Sequence, residues 1–115
     1  MESIKKGSEM RRFAIYAGNT LIGWSDLEAI DRSMATAFGV LSTEAGYERV
    51  RAWIISLRDE DQSAVGLNAR IGGDQPLVCE FVHIADYSDE ITDGGIEVSV
   101  HGITDPGVDV LFPVA

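Results

Sequence analysis

Phe13-Ala14-Ile15-Tyr16-Ala17 and Thr20-Leu21-Ile22-Gly23-Trp24 stand on either side of Gly18-Asn19, and no other feature of the sequence restricts the fold as tightly. Both runs are rich in branched and aromatic residues that suit a pleated surface, and the connection between them contains a glycine, which takes positive φ without steric penalty. An antiparallel hairpin follows. A two-residue turn sets Phe13 opposite Trp24 and Ile15 opposite Ile22, so one face carries aromatic and branched cross-strand pairs and is expected to look into a core that includes Trp24.

Residues 34–41 read as a third strand after the polar connection 25–33, although their small side chains leave a helix open. Ser42 or Thr43 is placed to cap a helix over about 44–57, in which Tyr47, Val50, Trp53, Ile54 and Leu57 recur at helical spacing on one side. Glu44 and Glu48 fall in its first turns and Arg51 and Arg58 toward its end, which complements the helix dipole. Gly46 costs such a helix about 1 kcal/mol relative to alanine. Asp59-Glu60-Asp61-Gln62-Ser63 breaks the pattern. Residues 64–71 and 77–85 then read as a second hairpin joined around 72–76, and the later run, apolar apart from Glu80 and His83, reads as a central strand covered on both faces. After an acidic loop over 86–95, residues 96–103 alternate, with Ile96, Val98 and Val100 on one face and Glu97, Ser99 and His101 on the other. Residues 104–107 form a turn, and 108–115 a helical turn or an extended tail. The expected fold is α+β: a small, mainly antiparallel sheet of about five or six strands with one amphipathic helix packed on it. Residues 1–9 read as a disordered tail and 10–115 as a single domain.

Nineteen Asp and Glu stand against nine Lys and Arg, a net charge of -10 on 115 residues, while 45% of residues are apolar, too many for a disordered chain. Solubility accounts for such a charge equally well as a partner does. Polyphosphate backbones and anionic lipid surfaces are bound largely through Lys and Arg, so direct binding to nucleic acid or to a membrane is disfavoured. No apolar stretch approaches the ~20 residues that span a bilayer, and a cytoplasmic location is expected. The single cysteine, Cys79, cannot form an internal disulfide and lies in an apolar run, where a buried, inert thiol is expected.

Few residues carry a chemical signature. Cys79 and His83, four apart in the expected strand, share a face, and with His101 they raise a three-ligand metal site, but the close ligand pair typical of zinc sites is missing. Asp86, Asp89, Glu90 and Asp93 precede Gly94-Gly95, yet a calcium-loop count from Asp86 puts Ile91 where glycine is required. There is no Gly-x-Ser-x-Gly elbow and no Gly-x-Gly-x-x-Gly phosphate loop. Neither a catalytic residue, a metal nor a cofactor is assigned.

Trp24-Ser25-Asp26-Leu27-Glu28 and His83-Ile84-Ala85-Asp86-Tyr87-Ser88-Asp89-Glu90, with Ala37-Phe38-Gly39 and Glu97-Val98-Ser99-Val100, cover about a quarter of the chain. In these segments it resembles small stand-alone bacterial proteins of unassigned function, a resemblance that implies a compact domain and no active site. In size and acidity it is more loosely similar to immunity proteins of bacterial toxin systems. A toxin that cuts nucleic acid presents Lys and Arg to phosphates, and a carboxylate-lined protein can occupy the same site and be steered to it. The expected function is thus a non-catalytic binding protein, monomeric or homodimeric, that neutralises a basic toxin through Asp59, Glu60, Asp61, Asp86, Asp89, Glu90 and Asp93, exposed on two connections. The alternatives are a small enzyme or small-molecule binder with a pocket between helix and sheet, using His83 and His101, or a homodimeric structural module.

Overall fold

The computed structural model describes residues 13–72, 75–90 and 95–113. The expected tail over 1–9, the turn residues Gly73 and Asp74, and Asp93 lie outside the described residues.

The hairpin forms as β1 (Phe13–Ala17) and β2 (Thr20–Ser25), with Gly18 at φ 62° in the turn. Its register differs from the expected one: Ala17 pairs with Thr20 and Tyr16 with Leu21, but Ile15 pairs with Gly23, Ala14 with Trp24 and Phe13 with Ser25. Ile22 is an extra residue, a β-bulge that shifts every pair beyond it by one and leaves Ile22 fully buried beside Phe13 and Ile15. Trp24 is half-buried rather than central to the core.

Among the described residues there are two antiparallel sheets instead of one. The first orders its strands β5 (Ser42–Thr43), β2, β1, β6 (Leu67–Ile71) and β7 (Gln75–Pro76); the second orders β3 (Ala29–Asp31), β4 (Thr36–Val40), β9 (Ile96–His101) and β8 (Phe81–Asp86). The connection expected over 25–33 therefore contains β3 and a 3-10 turn at Arg32–Met34, and Ser42-Thr43 extends a sheet instead of capping a helix. The second hairpin does not form either. β6 pairs with β1 and with the two residues of β7, and its bonding to this segment runs on to the Leu77 N–H, which donates to the Ala69 carbonyl at 3.0 Å. The chain then crosses to the other sheet, and β8 becomes an edge strand, not a central one. Its apolar run has two destinations: Leu77, Val82 and Ile84 are buried, whereas Val78 and Phe81 are each 51% exposed. Alternation along β9 is as expected, with Val98 and Val100 buried and Glu97 exposed. The C-terminal helical turn is α2 (Val108–Leu111), whose neighbour Phe112 contacts the ring of Phe13 at 5.7 Å. One apolar cluster draws on both sheets, including Phe13, Ile15, Ile22 and Ala69 from the first and Ala37, Val82, Ile84, Val98 and Val100 from the second.

Two local features are set by this packing. Leu27 holds a left-handed φ of 49° with its side chain fully buried, so apolar burial of about 2 kcal/mol offsets a strain of about 1–2 kcal/mol. The single expected helix is instead a 3-10 segment, Ala45–Arg49, followed by α1 (Arg51–Ser56). A 3-10 turn holds about 3.0 residues against about 3.6 in an α-helix, which breaks the phase of the expected stripe. Tyr47 and Ile54 face the core, whereas Trp53 is 45% exposed.

The tight first turn has a cause in β2. A Cβ at Gly46 would stand 2.4 Å from the Leu21 carbonyl oxygen, a backbone atom that cannot move aside. Helix propensity alone would make Gly46→Ala stabilising by about 1 kcal/mol. The structure reverses the sign: Gly46→Ala should destabilise by about 1–3 kcal/mol in urea unfolding, and an unchanged or raised midpoint would mean that residues 45–49 do not lie against β2.

Candidate functional site

Residues 44–58 form a strap across both sheets. Glu44 N–H donates to the Ile22 carbonyl at 2.9 Å, and Gly46 presses on Leu21, which fixes the first end to β2. α1 then packs against β8.

At the far end of β8 sits Asp86, which is fully buried. Tyr47, buried on the strap, donates its phenol O–H to Asp86 Oδ2 at 2.5 Å, while Ser88 donates both its N–H at 2.8 Å and its hydroxyl at 2.5 Å to Oδ1. Burial alone would push this carboxyl up, but the bonds from Ser88 and Tyr47, with the charge of Arg51, outweigh it and hold Asp86 below its ordinary 3.8. Burial, followed by the bond to Asp86 and its charge, pushes the Tyr47 phenol well above its ordinary 10.0. Two arginines close the junction. Arg51 donates to Ser88 Oγ at 2.6 Å and pairs with Glu48 at 3.3 Å; Arg58 donates to the Asp86 carbonyl at 2.7 Å and to Asp89 Oδ1 at 3.2 Å, with its guanidinium 4.7 Å from the centre of the Tyr87 ring.

The expected exposure of Asp86 is therefore corrected: it is an internal anchor, because its side chain finds three donors in the junction and none of its surface remains in water. Asp59, Glu60, Asp61, Asp89 and Glu90 are exposed. Arg58 joins the two acidic connections, since Asp59-Glu60-Asp61 follow it in the chain while its guanidinium holds Asp89 and the backbone of Asp86.

Gln62, also buried, turns back onto the outer edge of β8. Its amide oxygen accepts from Ile84 N–H at 2.8 Å, and its amide nitrogen donates to the carbonyls of Ile84 at 2.7 Å and Leu57 at 3.1 Å. Beyond this contact the same edge opens into a cleft of about 470 Å³, lined by Glu60, Asp61, Ser63, Glu80, Phe81 and His83, with Leu67 and Val82 among the apolar lining.

The cysteine and histidines do not assemble. Cys79 precedes β8 instead of lying in it, so the alternation that would align it with His83 does not apply, and among the described residues no three His, Cys, Asp or Glu converge as a metal would require. Cys79 is half-buried and its thiol is pushed up by burial, which disfavours the reactive thiolate. His101 stacks on Phe81 at 4.4 Å, bonds to Ser99 at 2.9 Å, and is pushed down by burial and then by the charge of His83. Of the two histidines, only His83 lines the cleft. No protein-family model matches the chain, and neither a curated protein nor a solved structure is significantly similar to it.

Gln62 and the open edge at Val82 escape sequence reading, because the bonds of Gln62 to Ile84, which close the edge beside Val82, span 22 residues and carry no spacing signal. The one hint is that Glu80 and His83 interrupt an otherwise apolar run.

Tyr47→Phe leaves Asp86 buried with one donor fewer and should destabilise by about 1–3 kcal/mol near neutral pH. A carboxylate held below its unfolded value stabilises above that value and loses the contribution as pH falls toward its folded one. The gap between wild type and Tyr47→Phe, read from urea midpoints, should thus narrow between neutral pH and about pH 3. An equal gap at both would show that the phenol does not act on the ionised form.

Proposed function

We propose that the chain is a non-catalytic acidic binding protein that docks a basic protein partner, most concretely as an immunity protein that covers the phosphate-binding face of a toxin that cuts nucleic acid. The observation that carries this reading is that acids of both connections flank β8: Arg58 holds Asp89 at its far end, and Glu60 and Asp61, which follow Arg58 in the chain, line the cleft at its start. Carboxylates scattered over a surface raise solubility; carboxylates gathered along one strand create a directed field that steers a cationic partner. Asp86 and Tyr47 hold the strap to that strand, so little ordering entropy is lost when a partner seats there.

A second reading is favoured by the cleft itself, which places His83 beside Glu60, Asp61 and Glu80 in a volume suited to a small cationic ligand. It stands behind docking because the acids of the cleft continue outward into the exposed run that begins at Asp59.

A nuclease encoded beside this chain is the partner to test. Its association rate, measured by stopped flow, should fall about tenfold or more between low and moderate salt. The triple variant Asp59→Asn, Glu60→Gln, Asp61→Asn should slow association while leaving the melting temperature close to wild type. A salt-independent rate would remove the steering argument.

A further inference from the structure

The outer edge of β8 is closed at two points and open at a third. On β9, Leu41 N–H donates to the Ile96 carbonyl at 2.9 Å, and Gly39 and Ala37 lie opposite Val98 and Val100, so this set of β9 residues bonds toward β4. Glu97, Ser99 and His101 then bond toward β8, and their partners Ala85, His83 and Phe81 spend their backbone groups on that ladder. Val82, Ile84 and Asp86 turn theirs outward. Arg58 takes the carbonyl of Asp86 and Gln62 takes both groups of Ile84. Neither reaches Val82, a residue that lines the cleft.

We propose that this cleft receives an extended, lysine- or arginine-bearing segment of the partner, which adds to the second sheet as a strand beside β8 through the outward N–H and C=O of Val82. This inference rests on the acidic docking reading and gives it a mode of contact. Main-chain bonds to an edge strand supply affinity without sequence demands, and side-chain pockets supply the choice. The pockets here are of two kinds. Glu60, Asp61 and Glu80 line the cleft and would attract the cationic side chains of an added strand, while Phe81 and Leu67 offer apolar surface to its other residues. Closure by Gln62 and Arg58 limits the pairing to the start of β8 and so sets its register. A second copy of the chain is a poor occupant, since pairing β8 with itself sets Glu60, Asp61 and Glu80 against their own kind in a molecule of net charge -10.

The probe is an acetylated, amidated hexapeptide of alternating lysine and valine, titrated into the whole protein and followed by amide NMR. Binding should slow exchange of the Val82 amide and shift resonances around 60–67 and 80–83. Two N-methylated versions, one blocked at the lysine nitrogens and one at the valine nitrogens, carry the same charge. Only the set facing β8 should lose affinity, by roughly tenfold, with the other staying within about twofold of the parent. If both bind alike, or if the parent does not bind at millimolar concentration, strand addition is overturned while salt-dependent docking of a protein partner stands. If an alternating glutamate and valine peptide binds equally well, the charge reading fails with it. Protection of Val82 without peptide, rising with protein concentration, would overturn the inference in favour of self-pairing.

Discussion

Asp86 is the residue on which the rest of the molecule leans. A carboxylate removed from water is tolerated only when donors surround it, and here the donors come from two separate parts of the chain: Tyr47 from the strap over both sheets, and Ser88 from the loop that follows β8. Apolar packing is indifferent to direction, and it would hold the strap against the sheets in several rotations of similar energy. One charge that must find the Tyr47 hydroxyl removes that freedom. The position of Arg58, and with it the meeting of the two acidic connections, follows from how the strap is fixed.

The field of the molecule is shaped as much by where the bases are used as by the number of acids. Arg51 and Arg58 are engaged at the junction, Arg32 binds Asp109 at 2.8 Å and the Phe112 carbonyl, and Arg70 lies over the Tyr16 ring at 3.7 Å. These four cations serve their own chain. Asp59 and Glu60, by contrast, are exposed and enter no ion pair among the described residues.

What could be read from residue order was short in range. Alternation placed β9 because its faces differ in polarity, and Gly18-Asn19 located the turn of the first hairpin. The register of that hairpin was hidden, since a bulge at Ile22 answers to the core on both sides of it and not to the turn. Division into two sheets was hidden as well. Residues 77–85 look uniformly apolar, and only the paired position of Pro76 and the bridge between Val78 and Asp105 show that the chain changes layers there. Of the site, the two acidic connections were legible as charge, but exposure was not: Asp86 and Asp89 differ by three positions and belong to opposite environments.

Gln62 carries a consequence for which residues position 62 can accept. It must both donate, to the carbonyls of Leu57 and Ile84, and accept, from the Ile84 amide. Glutamate has the same shape and length, yet when ionised it offers no donor and would set negative charge against two carbonyl oxygens in a buried place. Asparagine keeps both functions but is one methylene short of the strand. Hydrolysis of this one amide, a slow chemical change that leaves the backbone intact, would therefore unseat the edge of the second sheet as surely as an inherited substitution.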